Sequence, residues 1–266
     1  MTSPPASLTR LSGIMAQLRD PQAGCPWDLA QDFATIAPYT IEEAYEVAEA
    51  IADGDMRELK KELGDLLFQV VFQSRLAEEA GHFALDDVVA AVCEKMERRH
   101  PHIFGSGTAA ADAGAQKLEW EAIKAAERAA AGTIDKPVSA LDGVATALPA
   151  LLRAEKLQSR AARVGFDWPD VASVRAKVAE ELAEFDEAPG DAHRREEAGD
   201  LLFVIVNLLR RHDIDAEDAL RAGNRKFERR FQAMEALAGP GFAGLDLEAQ
   251  DALWNRVKAA ERALSA

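Results

Sequence analysis

Paired acidic residues at helical spacing are the part of this sequence best suited to chemistry. In the C-terminal half, Glu181 and Glu184 are three residues apart, and Glu197 and Asp200 repeat that spacing. Side chains at this spacing share one helix face, about 5–6 Å apart at Cβ. Two antiparallel helices can therefore aim all four carboxylates at one point. This predicts an all-oxygen site suited to Mg²⁺, with Mn²⁺ as an alternative.

The N-terminal half contains an equivalent acid set, formed by Glu43, Glu46, Glu62 and Asp65. Acid pairs are common on solvated helices in a chain with 46 Asp and Glu residues, so spacing alone does not define a metal site. However, Asp65 and Asp200 each precede an apolar run, and a helix that is apolar on every face is buried. We therefore expect both residues at the margin of a core. Clustered charges there require a neutralising cation, which favours metal binding.

A di-iron centre is the alternative metal site. Glu79 with His82, and Glu97 with His100, have the Glu-x-x-His spacing of carboxylate-bridged iron sites in helical bundles. A glycine interrupts the first pair, and Phe231 takes the place of the second histidine in the C-terminal half. The sequence therefore favours magnesium over iron.

Basic residues in the C-terminal half form a candidate phosphate site. Lys226 and Arg230 share a helix face at i,i+4 spacing, and such paired cations can hold phosphate oxygens. Lys177 lies one turn before Glu181 and has two equally good roles: it can join the phosphate site or form an ion pair with Glu181. Trp254 can stack on a base, although a buried tryptophan is more often part of a core.

The acidic and basic residues lie on predicted helices that belong to a tandem repeat. Residues 62–68 (ELGDLLF) match residues 197–203 (EAGDLLF), and residues 120–128 (WEAIKAAER) match residues 254–262 (WNRVKAAER). Two further pairs of segments match in the same order at nearly constant offset. Ordered matches of this kind indicate a duplication.

Helical periodicity dominates and strand signals are nearly absent, so the sequence predicts an all-α fold of two duplicated helical bundles. The predicted units are an N-terminal unit over residues 1–131 and a C-terminal unit over residues 145–266. Glycine and proline in residues 132–144 predict a linker. We expect the units to pack against each other or across a dimer, because a few helices cannot enclose a core alone.

Individual helix limits follow from capping signals. Thr40 with Glu43 fits a capping box that opens a helix over residues 41–53, and Gly54 fits its end. The other predicted helices run from Asp55 to about residue 81, from about residue 86 to just before residue 101, over residues 118–130 and over residues 149–164.

Composition excludes several classes of protein. The net charge of −15 argues against binding of a nucleic acid polymer or an anionic membrane surface. The longest apolar runs are far shorter than a membrane span, and no secretory signal is visible, so we expect a cytoplasmic protein. Two cysteines are too few for a disulfide scaffold or a four-cysteine zinc site.

Several segments together resemble the MazG family of tandem-domain nucleoside triphosphate pyrophosphohydrolases, within the all-α NTP pyrophosphatase superfamily. They are the doubled acid motifs and residues 24–28 (GCPWD), 97–102 (ERRHPH) and 163–168 (RVGFDW). The resemblance spans nearly the whole chain. It implies an all-α homodimer that hydrolyses nucleoside triphosphates with magnesium, giving a monophosphate and pyrophosphate, in a housekeeping or pool-cleaning role.

The resemblance also implies roles for individual residues. The family's metal ligands fall on Glu181, Glu184, Glu197 and Asp200. Its phosphate- and base-binding positions fall on Lys177, Lys226, Arg230 and Trp254. The resemblance also implies that the C-terminal unit is the catalytic one. The sequence is consistent with this, because Tyr39 takes the place of Lys177 and Cys93 that of Asn224 in the first unit; that unit could bind metal without turnover or prefer another substrate. As the mechanism, we expect Glu180 or Glu181 to take a proton from a water that attacks the α-phosphorus.

Two other functions remain open from the sequence. One is a pyrophosphohydrolase with a single narrow substrate, such as dUTP or phosphoribosyl-ATP. The other is a non-catalytic helical interaction protein that uses the acid sites for metal-stabilised assembly.

Overall fold

The computed structural model describes residues 7–107, 111–131 and 139–264. No strand occurs in these ranges, which confirms the predicted all-α fold. The helices form two compact units, Met1–Ala130 and Ala131–Ala266. Within the predicted linker, residues 132–138 lie outside the described residues. Among the helices described, none combines the length and apolar character needed to cross a membrane.

The first unit is built around a helical hairpin. Its helices are α1 (Leu8–Leu18), α2 (Pro26–Leu29), α3 (Phe33–Asp53), α4 (Met56–Glu79), α5 (Leu85–Arg99), α6 (Pro101–Phe104) and α7 (Ala113–Ala131). α3 and α4 pack along each other, and Gly54 makes the turn between them with φ +71°. The buried core of this unit consists of Met15, Ile36, Val71, Phe72 and Leu76.

The start of α3 differs from the sequence prediction. The helix begins at Phe33, because Asp32 and Thr35 form the capping box: the Asp32 carboxylate accepts from the Thr35 N–H, and the Thr35 hydroxyl accepts from the Asp32 N–H. The predicted cap at Thr40 is therefore wrong. The Thr40 hydroxyl instead accepts a hydrogen bond of 2.6 Å from Gln73 on α4, which joins the two helices of the hairpin.

Most of the other predicted helix ends are confirmed. They belong to the helices of the first unit and to the first helix of the second unit. α4 follows Asp55, whose carboxylate accepts from the backbone N–H of Glu58, and α5 ends just before Pro101. A helix begins after Pro149 and ends ahead of Gly165, which has φ +86°. Helix α7 begins earlier than the predicted residue 118.

The turn between α1 and α2 spans residues 19–25 and includes Gly24. A Cβ atom on Gly24 would collide with two backbone carbonyl oxygens, so this position requires glycine. The buried guanidinium of Arg19 donates to the Glu79 carboxylate at 2.7 Å and to the backbone carbonyl of Asp28. These bonds tie the turn to the end of α4.

The second unit repeats the hairpin. Its helices are α8 (Ala150–Arg163), α9 (Val171–Glu187), α10 (Asp191–Arg210), α11 (Ala216–Ala238) and α12 (Leu247–Leu264), with a short 3₁₀ helix at Gly239–Gly244. α9 and α10 pack along each other, α8 packs on α10 and α11, and α12 packs on α11. Val174, Val204, Val206, Met234 and Val257 are buried in this unit.

The apolar runs that follow Asp65 on α4 and Asp200 on α10 are buried on one side of the helix only. Val204 is buried, but Leu202 is 55% exposed and Phe203 is 40% exposed. Asp65 and Asp200 are also exposed. The prediction that they lie at the margin of a core is therefore wrong for the single chain, because the helices packed on α4 and α10 cover only one face of each.

Candidate metal and active site

Three carboxylates meet in the second hairpin. Glu181 and Glu184 on α9 and Glu197 on α10 each place one oxygen within 4.8 Å of the others. We call these three residues the second acid cluster. Asp200 lies one turn beyond Glu197 on α10 and is exposed; it is not within the 4.8 Å group.

Local sequence explains why one member of this cluster is buried. Asp170 caps α9 by accepting from the Ser173 N–H, and this sets the register of the helix. Glu181 follows Val174 by two turns, so both side chains lie on the inner face of α9. Val174 is fully buried and Glu181 is 6% exposed. The periodicity of α9 therefore places the Glu181 carboxylate in the interior of the hairpin.

The second acid cluster has the electrostatics of a cation site. Burial raises the pKa of Glu197, and the negative charges of Glu184, Asp200 and Glu181 raise it further. Negative charges held this close together are stabilised when a cation enters among them. Carboxylate oxygens are the ligands that Mg²⁺ and Mn²⁺ prefer.

The first hairpin carries the equivalent group. Glu43 on α3 and Glu62 and Asp65 on α4 place one oxygen each within 4.8 Å of the others, and we call them the first acid cluster. Burial raises the pKa of Glu43, followed by the charges of Asp65 and Glu46. Partial burial and hydrogen bonds with Glu58 and Glu46 raise the pKa of Glu62 to about 7. Glu46 therefore contacts the cluster without belonging to the 4.8 Å group.

Lys177 lies beside the second acid cluster. Its Nζ is 2.6 Å from Glu181 Oε1 and 2.8 Å from Glu180 Oε1. The hydrogen bonds to Glu180 and Glu181 raise the pKa of Lys177 above its usual value. Of the two roles open from the sequence, the structure contains the ion pair. Glu180 is outside the three-carboxylate group and bonds to Lys177 instead.

The other predicted substrate residues lie on α11 and α12. The Arg230 guanidinium is 2.8 Å from the Glu261 carboxylate and sits 5.4 Å above the ring of Trp254. Trp254 also packs against Phe227, with ring centroids 5.8 Å apart. Lys226 is exposed. Within the described part of the chain, no hydrogen bond or ion pair joins these side chains to the second acid cluster.

Sequence reasoning missed Glu261, although the repeat contained the signal. In the first unit, Arg99 and Arg98 pair with Glu127, at 2.6 and 2.8 Å. Glu127 and Glu261 occupy the same place in the repeated KAAER segment. An acid that is retained opposite a retained arginine pair indicates a contact between two helices, which the spacing within one helix cannot reveal.

The Glu-x-x-His pairs do not form an iron site. Glu79 pairs with Arg19 and Arg75, and His100 bonds through Nδ1 to the Met96 carbonyl oxygen. Among the residues whose side chains are described, the groups able to hold a metal are the two acid clusters, and neither contains a histidine.

The fold and the site together define an all-α protein in which two equivalent hairpins each carry a carboxylate cluster able to hold a divalent cation. Residues 31–104 match the model of the MazG nucleotide pyrophosphohydrolase domain.

Relatives extend the similarity over both units. The chain is 48% identical to the nucleoside triphosphate pyrophosphohydrolase of Escherichia coli K12, over 96% of this chain and 98% of that protein. It is 42% identical to the nucleoside triphosphate pyrophosphohydrolase/pyrophosphatase MazG of Thermotoga maritima, over 93% of this chain and 94% of that protein. The chain therefore belongs to the MazG nucleotide pyrophosphohydrolase family, which confirms the predicted family and enzyme class.

Proposed function

We propose that the protein hydrolyses nucleoside triphosphates to monophosphate and pyrophosphate at the second acid cluster, with Mg²⁺ or Mn²⁺ as cofactor. The observation that carries this proposal is the placement of buried Glu181 with Glu184 and Glu197 within 4.8 Å. The names of the relatives in Escherichia coli and Thermotoga maritima support the reaction. A role in clearing the nucleotide pool follows from this activity.

The donor set fits a hard divalent cation, because it consists of carboxylate oxygens alone. Glu181, Glu184 and Glu197 are the proposed ligands, and Asp200, one turn beyond on the same helix face, is the fourth. A bound cation neutralises phosphate oxygens and makes the attacking water more acidic. The carboxylates fix the position of the reacting phosphate, which is the main protein contribution to phosphoryl transfer.

The chain's own charged residues complete the proposed mechanism. Glu181 or Glu180 takes the proton of the water that attacks the α-phosphorus. Lys177 and Lys226 bind phosphate oxygens and offset the charge of the departing pyrophosphate. Arg230 also binds phosphate, and to do so it gives up part of its contact with the Glu261 carboxylate. The base stacks on Trp254, which already accepts a cation–π contact on its ring.

The second unit is the proposed catalytic unit because of one difference between the repeats. Lys177 stands beside the second acid cluster, whereas the equivalent Tyr39 contacts the ring of Trp27, with centroids 6.1 Å apart. A phenol carries no charge to offset a triphosphate.

We propose that the protein acts on free nucleotides in the cytoplasm rather than on nucleic acid, since its net charge is −15.

Incubation with each of the eight common nucleoside triphosphates and Mg²⁺ tests this function. The proposal predicts pyrophosphate release from several of them, and each product is identified by chromatography. dUTP and phosphoribosyl-ATP are added to the panel, and release from one of these two alone would establish the narrow-specificity alternative. A complete lack of release would instead favour a helical interaction protein.

We further propose that the protein is a homodimer. Apolar side chains are exposed along one face of α4, at Leu63, Leu67 and Val70, and on the second hairpin at Leu182 and Leu202. Rows of exposed apolar side chains on a helix face, taken in each unit by itself, are typical of an interface, and the resemblance to MazG implies a homodimer.

Sedimentation tests the dimer. The unmodified protein is expected to sediment as a dimer, and Leu67→Asp is expected to shift it toward monomer because a charge would be buried in the interface. Leu247→Asp is the matched control, because Leu247 is 80% exposed at the start of α12 and outside that face. A monomeric unmodified protein contradicts the proposal.

A further inference from the structure

The ion pair between Lys177 and Glu181 involves a carboxylate of the second acid cluster itself. Lys177 Nζ is 2.6 Å from Glu181 Oε1, and the two side chains are 31% and 8% exposed. Glu181 is the most buried member of the cluster. The ammonium therefore neutralises the carboxylate that water screens least.

A divalent cation at this cluster must compete with that ammonium. Glu181 already shares its charge with Lys177, so its attraction for a second cation is reduced. The positive charge on Nζ also repels a cation placed among the carboxylates. Both effects weaken metal binding for as long as Lys177 stays in place.

The first acid cluster lacks this competitor. Tyr39 stands on α3 four residues before Glu43, as Lys177 stands four residues before Glu181 on α9. Lys61 pairs with Glu58, which lies outside the cluster, and its charge acts on Glu62 without forming an ion pair. In the described ranges, no lysine or arginine forms an ion pair with Glu43, Glu62 or Asp65. The two acid clusters are therefore similar but differ in one respect: within the described residues, only the second is paired with a basic side chain.

We propose that Lys177 is an internal counter-ion that a metal ion must displace from the second acid cluster, and that the first acid cluster consequently binds divalent metal more tightly when no nucleotide is present. This inference rests on the proposed function only in requiring that the clusters bind metal. It gives Lys177 a regulatory role in addition to phosphate binding.

The ion pair also couples metal to substrate. A triphosphate gives the ammonium of Lys177 an alternative anionic partner, so nucleotide binding releases Glu181 for the metal. Because coupling between two ligands is reciprocal, bound metal favours nucleotide by the same factor. The second acid cluster thus gains its full metal affinity when the substrate is present.

Titration of the full chain with Mn²⁺ alone, followed by electron paramagnetic resonance of the free ion, tests the proposal. A Glu43→Gln/Glu62→Gln background removes the first acid cluster from the measurement. In this background, Lys177→Met is expected to tighten Mn²⁺ binding about three- to fivefold, the size of effect that exposed ion pairs have. Arg175→Met is the matched control and is expected to leave the affinity nearly unchanged. Arg175 is exposed on the same helix, two residues from Lys177 and so on another face.

The reciprocal substitution tests the same idea in the other unit. In a Glu181→Gln/Glu197→Gln background, Tyr39→Lys is expected to weaken Mn²⁺ binding about three- to fivefold, because it introduces the competing ammonium. Tyr39→Met removes the ring without adding charge and serves as the control. Circular dichroism verifies that each variant is folded.

The outcomes separate the inference from the proposed function. If Mn²⁺ binds but Lys177→Met leaves the affinity unchanged or weakens it, Lys177 is not a competitor and the inference is overturned. The metal site then stands. If no Mn²⁺ binds in either background, the proposed metal sites fail and the inference fails with them.

Discussion

Glu181→Gln is expected to lower pyrophosphate release by at least about 10²-fold, the size of effect seen when one preorganised electrostatic contact is lost. Glu181 is the buried member of the second acid cluster, with 6% of the residue's surface exposed. Glutamine keeps its volume and removes its charge, so the helices persist while the proposed cation loses a ligand. Pyrophosphate release measured at saturating nucleotide and Mg²⁺ gives the result directly.

The repeat supplies a matched control for this substitution. Glu43→Gln makes the same change in the first acid cluster, at the equivalent position. It is expected to retain most of the activity if the second unit is the catalytic one. Equal loss in both variants would show that both clusters take part, and an active Glu181→Gln variant would remove the second cluster from the mechanism.

Removal of divalent metal is expected to have an effect at least as large. Without a cation, three clustered carboxylates repel the triphosphate, and the net charge of −15 adds to that repulsion. Pyrophosphate release after dialysis against a chelator is expected to fall at least about 10²-fold and to return with Mg²⁺ or Mn²⁺.

Thermal unfolding provides a measurement of metal binding that does not depend on activity. A ligand that binds only the folded chain stabilises it by about 2.7 kcal/mol at 100 times its Kd. Mn²⁺ is therefore expected to raise the unfolding temperature of the unmodified protein, and less so that of Glu181→Gln/Glu43→Gln. Full turnover in excess chelator, with no thermal shift, would contradict a metal mechanism.

The acid clusters were predictable because their geometry is local. Glu181 and Glu184 share a helix face through their spacing, and a hairpin brings the next helix, with Glu197, alongside. The acid motifs occur in both repeats, and this recurrence indicates that their spacing is not accidental. Burial of Glu181 also follows from its two-turn spacing from Val174.

Features that depend on packing between distant segments were not predictable in the same way. Glu261, which pairs with Arg230, lies on another helix, α12, and the spacing of residues within α11 does not indicate this partner. The exposure of Leu202 and Phe203 has the same origin, because a continuous apolar run does not specify which of its faces a neighbour will cover. At α3, Thr40 with Glu43 matches the usual Ser/Thr-x-x-Glu pattern of a capping box, whereas the observed box joins Asp32 and Thr35, which that pattern does not include.

Hydrolysis in ¹⁸O-labelled water, with mass spectrometry of both products, shows which phosphorus atom the water attacks. Attack at the α-phosphorus by water at the second acid cluster predicts one labelled oxygen in the nucleoside monophosphate and none in the pyrophosphate. Glu181→Gln is expected to remove this labelled product. Label in pyrophosphate or in inorganic phosphate, or labelled monophosphate formed by Glu181→Gln at the rate of the unmodified protein, would contradict water attack at this cluster.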